Sequence, residues 1–179
     1  MVKRYLAKEE IEIPDNVNVT VNGLIIKVSG QKGELVKDFK HAKNILIRVE
    51  DKKVIIEKYF PSKKEEALIG TLAGKIKNMI KGVSKGFKYK MKIIYAHFPI
   101  SIKVKGNYVY IENFMGEKFP RKAKIVGNVK VSVSGGEILI EGIDVEEVSQ
   151  TAANIEQVTK IAYRDPRVYL DGIYVYEKE

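Results

Sequence analysis

The sequence predicts an α+β protein made of two tandem, duplicated two-layer domains, each an antiparallel-rich β-sheet packed against one α-helix. Three observations carry this. The segment Asn44–Glu57 aligns without a gap on Asn128–Glu141, an offset of 84 residues. Both copies read as a strand, a tight turn and a strand. A helix-like apolar stripe follows each hairpin. A repeat of this length is the mark of a duplicated unit, and a sheet with one apolar face needs a helix to cover it.

The elements follow in order. Val17-Asn-Val-Thr-Val21 alternates apolar and polar residues, as does Ile100-Ser-Ile-Lys-Val104 in the second half, which is the period of a half-buried strand. Gly33-Glu34 matches Gly116-Glu117 at an offset of 83. The hairpin turn is Asp51-Lys52 in the first copy and Gly135-Gly136 in the second; paired glycines supply the positive φ of a two-residue turn. Ser62-Lys-Lys-Glu65 is a capping box. Leu68, Ile69, Leu72, Ala73, Ile76, Met79 and Ile80 then recur at helical spacing, and Gly82 offers a C-terminal stop. The second helix opens at Asp144-Val-Glu-Glu147 and buries Val148, Ala152, Ile155, Thr159 and Ala162, with Pro166 ending it. Glycine-containing turns lead into strands at Lys90–Tyr95 and Ile173–Tyr176. The expected domains are 1–88 and 89–179.

The chain has 179 residues, 45% hydrophobic and 31% charged, enough apolar material for two small cores. Cysteine is absent, which excludes thiol catalysis and cysteine-ligated zinc. The N-terminal residues lack the apolar stretch of a signal peptide, and no run approaches the ~20 residues of a membrane span. The expectation is a cytoplasmic protein with no membrane partner. A net charge of +9 points first to nucleic acid. The excess is uneven: +7 on residues 1–85 and +2 on 86–179. Within the second half, Lys88–Lys130 holds ten basic and two acidic residues, whereas 131–159 holds six acids and no base. This predicts opposed basic and acidic faces on one domain, the acidic one turned to solvent, a protein neighbour or a docking factor.

No catalytic constellation is visible. His41 and His97 fall in different halves, neither with a carboxylate or second histidine at ligand spacing. Gly70-Thr-Leu-Ala-Gly74-Lys75 is one residue short of a phosphate loop and has Ile76 where a magnesium-binding hydroxyl would stand. Its glycines are expected to let the helix approach the sheet. Glu146-Glu147 suits a helix start. The reading is a binding protein, not an enzyme, with no cofactor, metal or small-molecule substrate.

Two segments suit RNA. Asn113–Lys122 gathers Lys118, Arg121 and Lys122 around a glycine turn and aromatic residues. Lys160–Gly172 places Lys160, Arg164 and Arg167 on the last helical turn and the loop beyond it. Extended basic loops contact phosphates, and arginine also stacks on unpaired bases.

The run from Gln157 to Lys178, with Arg164, Arg167, Tyr169, Asp171-Gly172-Ile173-Tyr174, closely resembles the signature of the archaeal and eukaryotic branch of the ribosomal protein L-six family. Tyr169 stands where the family usually has Phe. Asn113-Phe-Met-Gly-Glu-Lys118 is similar to that branch's Asn-Phe-Leu-Gly-Glu-Lys, and Gly82–Phe87 to its first-domain motif. The resemblance covers the whole chain. It implies a structural constituent of the large ribosomal subunit, binding large-subunit rRNA near the sarcin–ricin region and the base of the lateral stalk. Neighbouring large-subunit proteins would be partners, with translational GTPases docking nearby. It implies that the second domain makes the main rRNA contact, through Lys160, Arg164, Arg167, Asp171, Gly172 and Tyr174, and also Lys118, Arg121 and Lys122. The alternative is a non-ribosomal RNA-binding or protein-adaptor module.

Overall fold

The computed structural model describes residues 5–162, 164–165 and 167–179. The chain divides into two compact units, Met1–Gly86 and Phe87–Glu179.

The first unit contains β1 (Leu6–Glu12), β2 (Asn18–Asn22), β3 (Ile25–Gly30), β4 (Gly33–Asp38), β5 (Leu46–Glu50), β6 (Lys53–Tyr59) and α1 (Lys63–Ser84). The strands form two antiparallel sheets, ordered β1-β6-β5 and β2-β3-β4. Ile26, Val28, Val54 and Ile56 from the strands meet Ile69, Leu72, Ile76, Met79 and Val83 of α1 in one core. The apolar stripe expected on this helix is the buried stripe; only Leu68 is half-buried. Ser62 and Glu65 form the reciprocal capping box, Ser62 N donating to Glu65 Oε2 at 2.8 Å.

The second unit repeats this plan with β7 (Phe87–Ile94), β8 (Ser101–Lys105), β9 (Tyr108–Glu112), β10 (Arg121–Lys124), β11 (Lys130–Ser134), β12 (Glu137–Gly142) and α2 (Val145–Val158), then adds β13 (Gly172–Lys178). Its sheets run β11-β12-β7-β13 and β10-β9-β8. Met91, Val109, Ile111, Ile138, Ile140, Val148, Ile155 and Ile173 fill the shared core. Gly135 and Gly136 adopt φ of 57° and 86° in the β11–β12 turn, while Asp51 takes the strained left-handed position in the first copy at 49°.

Several expectations differ from the structure. The strand expected after the first helix, at Lys90–Tyr95, is β7, which runs Phe87–Ile94, opens the second unit and lies between β12 and β13. Its counterpart is β1, and β13 has no counterpart among the described residues. Gly33-Glu34 and Gly116-Glu117 are not equivalent: the former begins β4, whereas the latter lies in a longer β9–β10 connection with a 3-10 turn at Phe114–Gly116. Helix α1 continues through buried Gly82, and Gly86 at φ 76° follows its end. Gly70 and Gly74 are exposed with nothing within 4 Å of a Cβ, so they do not bring the helix onto a sheet. The close approach is made by Gly30. A Cβ there would stand 2.8 Å from the Val83 carbonyl oxygen, which accepts the Lys32 N–H at 2.9 Å. Helix α2 stops at Val158, before Ala162; Pro166, expected to stop it, lies outside the described residues. Thr159 ends it instead. Its buried hydroxyl donates to the last-turn carbonyl of Glu156 (3.1 Å) and accepts the N–H of Ile173 (3.2 Å), tying the helix end to β13.

Candidate nucleic-acid interface

The segment after α2 is anchored at its far end by Asp171. This carboxylate is 1% exposed. It accepts the backbone N–H of Ala96 (3.2 Å) and of His97 (3.3 Å) and lies 3.1 Å from His97 Nδ1. Burial raises its pKa, but the hydrogen bonds from His97 and Ala96 outweigh that and hold it below the ordinary aspartate value. The His97 ring stacks on Tyr169, centroids 4.8 Å apart and planes at 23°. The Arg164 guanidinium covers the other partner in the series: it lies 4.6 Å from the Tyr169 centroid and donates to Tyr169 Oη at 2.7 Å. A buried carboxylate thus orients a histidine, the histidine a tyrosine, and the tyrosine an exposed arginine. The described residues between 159 and 172 lie in no helix or strand, and this stack holds Arg164 and Tyr169 among them in place.

The second basic segment is held from within. Phe114 is buried and pins the β9–β10 connection to the core. Asn113 and Met115 adopt φ of 59° and 53°, and the Asn113 amide donates to the Pro99 carbonyl at 3.0 Å. Arg121 lies over the Phe114 ring at 4.4 Å, binds both oxygens of Glu117 (2.8 and 2.5 Å) and donates to the Val158 carbonyl at 2.7 Å. The Arg121 hydrogen bonds lower the Glu117 pKa. Since Val158 is the last residue of α2, Arg121 joins the two basic segments that lie some forty residues apart in the sequence.

The residues singled out from the sequence therefore divide. Lys118, Lys122, Lys160, Arg164, Arg167 and Tyr174 are exposed. Asp171 and Gly172 are buried, and Arg121 is half-buried. Asp171 is spent on Ala96 and His97, Gly172 is buried beneath the Tyr174 ring, and Arg121 is occupied by Glu117 and Val158. Asp171 and Arg121 hold other groups of the unit in place. Lys160 lies beyond the last helical turn, because α2 ends at Val158. The sequence reading missed His97 in this role, since its carboxylate partner is 74 residues away.

The expected acidic face is also redistributed. In the antiparallel register Glu141 stands opposite both Lys88 and Lys130, and Glu137 opposite Lys92; Lys88 and Glu141 approach to 3.2 Å. Asp144 caps α2 by accepting the Glu146 N–H, and Glu147 accepts the Asn128 N–H at 3.1 Å. Sheet pairing interleaves charges that are segregated along the chain.

These features belong to a known family. The family model for ribosomal protein L6 matches residues 13–86 and again 98–172, one match in each unit. Three relatives, each called large ribosomal subunit protein uL6, match over nearly the whole chain. The protein from Aeropyrum pernix is 51% identical over 179 residues, covering 100% of this chain and 98% of its own. That from Staphylothermus marinus is 53% identical, covering 99% and 97%. That from Desulfurococcus amylolyticus is 53% identical, covering 99% and 98%. With both duplicated units matched and full-length relatives at this identity, the chain belongs to the ribosomal protein L6 family.

Proposed function

We propose that this chain is a structural constituent of the large ribosomal subunit, binding large-subunit rRNA mainly through its second unit. The binding region is the sarcin–ricin neighbourhood at the base of the lateral stalk, where translational GTPases dock, and other large-subunit proteins are its neighbours. The observation that carries the reading is the exposed Lys160, Arg164 and Arg167, with Arg164 set on the Asp171–His97–Tyr169 stack, in a chain whose relatives are large-subunit proteins.

The mechanism is binding without turnover. Lysine and arginine neutralise phosphates and release counterions, and a fixed loop reads RNA shape and 2′-hydroxyls. Arg164 is presented with its guanidinium partly ordered by Tyr169, which lowers the conformational entropy lost on binding. If six to ten phosphates are engaged, affinity for naked rRNA falls about 10³- to 10⁵-fold between about 50 and 200 mM salt.

The test is the Arg164→Ala/Arg167→Ala double variant. It should fold normally, bind transcribed large-subunit rRNA at least about tenfold more weakly and co-sediment poorly with large subunits through moderate salt. Unchanged affinity and unchanged co-sedimentation would remove the segment from the interface. Wild-type protein that never travels with large subunits would favour the non-ribosomal adaptor reading.

A further inference from the structure

The two units share strand order and register, so each supplies a control for the other. The sheets β2-β3-β4 and β8-β9-β10 correspond at an offset of 83 residues in their first two strands. Each turns one face to its core. In β8-β9-β10 that inner face is Ile102, Val109, Ile111 and Ala123.

The outer face of β8-β9-β10 is an ordered array. Tyr110 stands between Lys103 on one neighbour and Lys122 on the other; Tyr108 stands between Lys105 and Lys124. Tyr108 is 42% exposed, and all four lysines are exposed. Lys122 and Lys105 place their ammonium groups 5.5 and 6.0 Å from the Tyr110 centroid. Lys103 pairs with Glu112 at 2.7 Å. The corresponding face of the first unit carries Ile25 and Lys27 in the tyrosine positions, flanked by Asn22, Thr20, Val36 and Asp38, with Lys27 paired to Glu34 at 2.7 Å. The fold therefore forms without the array. The lysines lie on the two strands that flank β9, so the sheet holds positive charge on both sides of the tyrosines.

We propose that the outer face of the β8-β9-β10 sheet is a second RNA-binding surface: unpaired bases stack on Tyr108 and Tyr110, and the phosphates between them lie along Lys103, Lys105, Lys122 and Lys124. Two side chains on one strand face are about 7 Å apart, so each ring takes its own base. An acidic protein segment would satisfy the lysines but has no use for the exposed Tyr108 ring and the half-buried Tyr110 ring between them. Flat bases joined by phosphates use both. The proposal rests on the rRNA-binding reading above and extends it from a loop to a sheet face.

The test measures affinity of the full chain for transcribed large-subunit rRNA. Tyr108→Leu/Tyr110→Leu should weaken binding by about 30-fold or more, the range for losing two stacked bases. Tyr108→Phe/Tyr110→Phe keeps the rings and should stay within about twofold. Lys105→Gln/Lys124→Gln should flatten the slope of log affinity against log salt by about 1.4, roughly 0.7 for each single-strand phosphate. Circular dichroism checks that each variant is folded. Unaltered affinity and slope in the leucine and glutamine variants, alongside weakened Arg164→Ala/Arg167→Ala, overturn the sheet surface and leave the loop reading standing. Unaltered affinity in every variant, the arginine pair included, removes the rRNA reading and this proposal with it.

Discussion

Replacing Asp171 by alanine should destabilise the second unit by about 3 kcal/mol at neutral pH. The carboxylate accepts from two backbone amides and lies within hydrogen-bond distance of an imidazole nitrogen, all at 3.1–3.3 Å. Hydrogen bonds to a charged acceptor contribute about 1.5–3 kcal/mol each, and a buried donor left unmade costs about 1–3. The full sum is too large here, because Ala96 and His97 are themselves exposed and water can reach part of what the aspartate vacates. Counting roughly half gives the figure above, which for a unit of this size corresponds to about 12–24 °C in melting temperature. Asp171→Asn keeps one oxygen and should cost about 1–2 kcal/mol. The pH dependence gives a second check. The folded carboxyl titrates below its ordinary value of 3.8, so its charge stabilises the fold above that value, and the contribution fades as pH falls through the lower folded pKa. The gap in urea midpoint between the wild type and Asp171→Asn should therefore hold from pH 7 to about 5 and close below about 4. A loss under about 1 kcal/mol for alanine, or a gap that does not change with pH, refutes the account of Asp171 as the anchor of the segment.

The helix makes two further predictions. Gly30→Ala should cost about 1–3 kcal/mol in urea unfolding, because its Cβ would press on the Val83 carbonyl that Lys32 already uses, whereas Gly70→Ala, facing open space in mid-helix, should gain about 0.5–1; reversed signs would show the two glycines misassigned. Ser62→Ala should cost about 1 kcal/mol by removing the cap of α1. Lys58, and then Ser62, hold the Glu65 carboxyl down to about 2, so the stability it lends is complete above about 4.5 and drains away between there and about 2; a Glu65→Gln variant that tracks wild type across that window contradicts the assignment.

Local and periodic features were legible. The hairpins at 44–57 and 128–141, the capping box and the stripe from Ile69 to Ile80 depend on residues within a few positions of one another, and each lies in the structure as read. Long-range placement was not. Lys90–Tyr95 reads as a strand, but its allegiance to the second unit depends on pairing with β12 and β13, about 50 and 80 residues on. The family pattern brought Asp171, Gly172 and Arg121 forward as RNA contacts. A motif does not say whether a residue is exposed or holds one that is, and burial separates Asp171 and Gly172 from Arg164 and Arg167. His97 carried no signal because its aspartate is 74 residues away. The segregation of charge along the chain is partly undone in the β11-β12-β7 sheet, where antiparallel register sets Glu141 between Lys88 and Lys130.

Duplication makes a sharper instrument than net charge for separating what the fold needs from what it carries. Positions that keep their character in both units, such as Ile26 and Val109 or Ile56 and Ile140, are buried in both, and core packing accounts for them. Positions that differ at matched places on an open face are free of that demand. The first unit has the larger net charge, yet much of it is answered locally: Lys8 and Lys53 share Glu10, and Arg48 meets Glu50 and Glu57. Surface ion pairs of this kind contribute little stability, but each one lowers the field a polyanion would feel. The second unit is nearly balanced overall and concentrates its basic side chains on one sheet face and the segment after α2. A phosphate chain responds to that local arrangement within about a Debye length, some 8–10 Å at physiological salt, which is why the proposed contact falls on the less charged half.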